Sequence, residues 1–76
     1  MAVSPKTFAE RLNQCLNETE APGPVRDRAI ILSKMMEIPR QTAWSLLEGQ
    51  VLPDEMLLQK FANEFEVDID WLIGKK

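Results

Sequence analysis

The run RDRAIILSKMMEIPRQTAWSLLEGQVLP, residues 26–53, constrains this fold more than any other stretch of the sequence. It reads as two short helices joined by a tight turn. The first helix is carried by Ala29-Ile30-Ile31-Leu32 and continued by Met35 and Met36. The pattern breaks at Glu37-Ile38-Pro39. The second helix spans Arg40 to Glu48, and Gly49 closes it.

Helix, turn and second helix at this spacing form the scaffold of helix-turn-helix DNA readers, whose second helix enters the major groove. The same spacing also describes an ordinary pair of packed helices. The rest of the chain has to decide between the two.

A chain of 76 residues holds one domain and one small core. The longest uninterrupted apolar run, Ala29 to Leu32, is too short for a membrane span or a signal-peptide core, so a cytoplasmic location is expected. Cys15 is the only cysteine and there is no histidine. These counts exclude an internal disulfide, a Cys/His zinc site and a Ser-His or Cys-His catalytic system. Carboxylate-only chemistry stays formally open, although a domain this small offers little room for a pocket. No enzyme, cofactor or metal is expected.

The net charge of −3 argues against nucleic acid as a partner, because neutralising phosphates takes a basic face. The charge is uneven, however. Residues 24–51 carry Arg26, Arg28, Lys34 and Arg40 against Asp27, Glu37 and Glu48, a net of +1. Residues 52–76 carry three lysines against six acids, a net of −3. The helix–turn–helix stretch is the only net basic segment.

In chain order, Ser4 caps a first helix that Pro5 opens, and Phe8, Leu12, Cys15 and Leu16 share one face of it. Cys15 reads as a small core residue. Glu18 to Pro24 is a loop, with two prolines around Gly23. The next helix begins near Val25, and Val25, Ala29, Leu32 and Met36 form its buried stripe, widened by Ile31 and Met35. Arg26 and Arg28 lie in its first turn, where the helix dipole disfavours cations. Two arginines there point to an anion held between guanidinium groups and free backbone N–H groups; the alternative is pairing with Asp27 and neighbouring acids. Ala43, Leu46 and Leu47 face inward on the following helix, leaving Arg40, Gln41, Thr42, Trp44 and Ser45 outward or at its edge. Asp54 caps a fourth helix striped by Leu57, Leu58, Phe61, Ala62 and Phe65. Asp68 caps a short last one, Ile69 to Ile73, stopped by Gly74. The expected fold is all-α, with five helices. Trp71 is expected to be largely buried against Phe8, Leu12, Phe61 and Phe65.

Three segments resemble the lambda-repressor-like (Cro/CI, XRE-type) DNA-binding domains, above all those of phage and prophage repressors. IPRQTAWSLLEGQVLP looks like the recognition-helix region. LPDEMLLQKFANEFEVDIDWLIGKK looks like the fourth and fifth helices, with the Ala-x-x-Phe and Val-x-x-Asp-Trp-Leu-x-Gly patterns of that family. RDRAIILSKMMEIP is similar to the Arg-x-Arg opening of the second helix. The likeness spans about residues 8–74. It implies one helix-turn-helix domain over residues 1–76, with the motif at about 25–48. It implies phosphate contacts by Arg26 and Arg28, and base contacts in the groove by Arg40, Gln41 and Thr42, with Trp44 and Ser45 at the outward edge. Arg can fork onto guanine, Gln onto adenine, and the Thr methyl can meet a thymine methyl. Three positions depart from the family: Ala29 stands where many members carry a phosphate-binding Gln, and Trp44 and Ser45 stand where many carry basic residues.

The resemblance implies a transcriptional regulator, in the manner of a repressor, that binds double-stranded operator DNA. A palindromic operator and a weak homodimer are expected, since one recognition helix reads only a few base pairs. The apolar surplus at Val51, Leu52, Ile69 and Ile73 is the expected contact, unless these residues close the core. The alternative is a protein-interaction module of the same fold, antirepressor- or antitoxin-like, that has lost DNA binding and meets its partner through Trp44.

Overall fold

The computed structural model describes residues 3–21 and 23–75. Among these residues the chain is all-α, with α1 (Pro5–Glu18), α2 (Val25–Met36), α3 (Arg40–Leu47), α4 (Glu55–Phe65) and α5 (Ile69–Leu72), and no strand. No described helix is long and apolar enough to cross a membrane. Of the two prolines expected in the loop before α2, Pro22 lies outside the described residues.

Short-range chemistry sets most helix ends. The Ser4 hydroxyl accepts from the Lys6 N–H at 3.2 Å, the Asp54 carboxylate from the Leu57 N–H at 2.8 Å, and the Asp68 carboxylate from the Asp70 N–H at 3.0 Å. α2 and α3 start differently. Each follows a proline, Pro24 and Pro39, and neither has a side-chain cap. Between them Glu37 turns the chain with φ +58, so the turn comprises only Glu37, Ile38 and Pro39.

The core draws on every helix. Phe8, Leu12 and Leu16 of α1 meet Ala29, Leu32 and Met36 of α2, Ala43, Leu46 and Leu47 of α3, Phe61 of α4, Leu72 of α5 and the adjoining Ile73. Phe8 packs its ring edge-on to Phe61, with centroids 5.7 Å apart and planes at 69°.

Trp71 packs partly buried against the core, with the Arg11 guanidinium over its ring at 4.9 Å from the centroid and donating to the Trp71 carbonyl. Two expectations about this core are corrected. Ile73 is buried and Ile69 packs half-buried against the core, so both close the domain, and only Val51 and Leu52 of the expected dimer contact stay exposed. Met35 is exposed, and Ser33 takes a buried place beside Leu32 on α2.

Gly49 ends α3 with φ +77, and a Cβ there would stand 3.2 Å from the Lys6 Cα of α1. Gly49→Ala therefore combines left-handed strain with a tight contact that requires the α1 backbone to shift by a few tenths of an ångström. The substitution should destabilise the domain by at least about 1–2 kcal/mol, read from the urea midpoint. An unchanged midpoint would contradict this packing of α3 on α1.

Candidate functional site

α2 and α3 meet across their tight turn so that the exposed faces of their first halves border one cleft. On α2, Arg26, Ala29 and Ile30 fall at i, i+3 and i+4, one side of the helix. On α3, Arg40, Gln41 and Trp44 fall at i, i+1 and i+4. These six residues line a cleft of about 470 Å³. Its floor is apolar, from Ala29, Ile30 and Trp44, and its rim carries two guanidinium groups and an amide. No acidic side chain lines it, in a chain whose acids outnumber its basic residues twelve to nine.

Arg26, Arg40 and Gln41 are exposed, and Trp44 keeps 41% of its surface open to solvent. Among the described residues neither Arg26 nor Arg40 is held by an ion pair or a side-chain hydrogen bond. The pairing of Arg26 with Asp27, which the sequence left open, is thus not what occupies it. The first turns of α2 and α3 also keep backbone N–H groups that no side chain caps, so both helix starts favour negative charge. Thr42 and Ser45 are half-buried and stand outside the cleft lining.

Arg28, expected from the sequence at a phosphate, is placed by the structure among side chains of α1. Arg28 is only 7% exposed and points into the domain. Its Nη1 donates to the Asn13 Oδ1 at 2.8 Å and to the Asn13 carbonyl at 3.4 Å, and its Nη2 donates to the Asn17 Oδ1. Asn13 in turn donates from Nδ2 to the Leu47 carbonyl at 3.3 Å and to its own helix at the Ala9 carbonyl, 2.9 Å away. A buried cation thus gains three oxygen acceptors, and the network joins α1, α2 and α3. Through Asn13, Arg28 of α2 and the end of α3 are tied to α1. Sequence reasoning missed Asn13. Its one signal was an amide at mid-helix, a weak helix former with no cap to make.

Cys15 is buried, and burial pushes its thiol above the usual range, with the Glu18 charge adding to the effect. It is a buried core side chain.

No family model, no curated protein and no solved structure matches this chain.

Proposed function

We propose that this domain is a sequence-specific DNA-binding regulator, of the helix-turn-helix kind and in the manner of phage and prophage repressors. α3 lies in the major groove, and the protein performs no catalysis. The observation that carries this reading is the shared cleft, which sets Arg26 of α2 beside Arg40, Gln41 and Trp44 of α3. Arg40 offers a fork to guanine O6 and N7, and Gln41 an amide to adenine N6 and N7. Arg26, at an uncapped helix start, serves a phosphate. Eight residues of α3 cover only a few base pairs, so a weak homodimer on a palindromic site completes the reading.

Titration against duplex DNA over a range of ionic strength tests it. Arg26→Ala should weaken binding to all sequences alike and reduce the salt slope by about one unit. Gln41→Ala should cost about 1–3 kcal/mol on a preferred site and much less on random DNA. Equal losses on both kinds of DNA would remove Gln41 from base readout.

One observation favours a second reading, a protein-interaction module. Trp44 is an exposed aromatic beside the apolar Ala29 and Ile30, and exposed tryptophans are common interface anchors. On that reading Trp44→Ala abolishes a protein complex and no duplex binds better than another.

A further inference from the structure

Building on the DNA-binding reading above, we infer that the cleft between α2 and α3 receives the 5-methyl group of a thymine, with Trp44 as the residue that sets this preference. The lining makes two demands on an occupant. Arg26 and Arg40 with no acid among the lining residues call for a polyanion. Ala29, Ile30 and Trp44 call for an apolar group set against that polyanion. In the major groove of a duplex the methyl group of thymine is the largest apolar group that the base edges present. Duplex DNA thus satisfies both demands at once, and best where a thymine faces the cleft.

Ala29, buried in the core, is the smallest side chain of the lining. The cleft, of about 470 Å³ and open to solvent, can admit the methyl-bearing edge of a pyrimidine. The assignment moves methyl recognition away from Thr42, which lies outside the lining. Arg40 and Gln41, on the same rim, then read the neighbouring pairs, so the preferred site holds a thymine next to a guanine or an adenine on the strand facing α3.

The test uses the 76-residue chain and duplexes enriched by it from a random-sequence pool. Each thymine of the enriched site is replaced singly by uracil, which removes one methyl group and keeps every hydrogen bond. A single replacement at the thymine that faces the cleft should weaken binding about fourfold, the worth of burying one methyl-sized group. In Trp44→Ala, checked for folding by circular dichroism, the thymine and uracil duplexes should bind alike. The inference is overturned if uracil at every thymine leaves affinity within about 1.5-fold, well short of one buried methyl, or if Trp44→Ala keeps the full discrimination. Either result leaves the DNA-binding reading standing. If no sequence is enriched over random DNA, that reading falls together with the inference, and an acidic protein segment with an apolar side chain becomes the occupant.

Discussion

Phe61→Ala should destabilise the domain by about 3–5 kcal/mol, the range for removing a fully buried aromatic ring. Phe61 has no exposed surface. It meets Phe8 of α1 edge-on and stacks on Phe65 of its own helix, with centroids 6.5 Å apart and planes 5° from parallel. It is also the one fully buried large side chain that α4 contributes, since Leu57, Leu58 and Phe65 are half-buried. Removing it leaves α4 with Ala62 as its only fully buried residue. For 76 residues a total stability of roughly 4–11 kcal/mol is typical, so the loss takes a large share of it. The melting temperature should drop by about 12 °C or more, as each kcal/mol moves a domain of this size by about 4–8 °C. A shift of a degree or two would contradict the packing of α4 on α1.

Arg28→Met should lower stability by about 1.5–3 kcal/mol, the worth of a hydrogen bond to a charged group, and leave the salt slope of DNA binding unchanged. Methionine keeps an apolar stem of similar reach in the buried site and removes only the guanidinium. What is lost is the link from α2 to Asn13 and Asn17 of α1. Because Asn13 also holds the Leu47 carbonyl at the end of α3, α3 should lose part of its fixed angle. Arg26→Ala supplies the contrast: little change in stability, and a lower salt slope. If Arg28→Met lowered the slope by about one unit without loss of stability, Arg28 would be a phosphate ligand and the internal network would not describe the protein in solution.

The helix starts at Ser4, Asp54 and Asp68 and the stop at Gly49 were legible because each is decided within three or four residues by one side chain or one backbone angle. The buried stripes of α1 and α3 followed from helical period alone. Arg28 was not legible. Its partners lie fifteen and eleven residues away on another helix, and only the crossing of α1 and α2 decides whether a cation in a first helical turn faces solvent or an amide pair. Ile69 and Ile73 were read as surplus for the same kind of reason. A helix of four residues has no period long enough to show which way it faces, and the docking of its end on α1 settles the matter. Trp71 looked like a core residue by type, and it packs partly buried against the core, with Arg11 from α1 covering its ring. At the site, Arg26, Arg40, Gln41 and Trp44 could each be named from the sequence. That they share a cleft with Ala29 and Ile30, and that Thr42 and Ser45 do not, depends on how α2 and α3 are rotated against each other.

The central claim is that the exposed face of α3 meets DNA, and the two tryptophans of the chain make it directly measurable. Nitrogen-15 spectra resolve one indole N–H from Trp44 in the cleft and one from Trp71, which lines no part of it. On titration with a duplex enriched from a random pool, the Trp44 indole and the Arg40 and Gln41 amides should shift and saturate together, while the Trp71 indole stays in place. A random duplex at the same moderate salt should move them far less. Saturation of the enriched duplex with these three signals unmoved, or no duplex that moves any signal, would contradict the account.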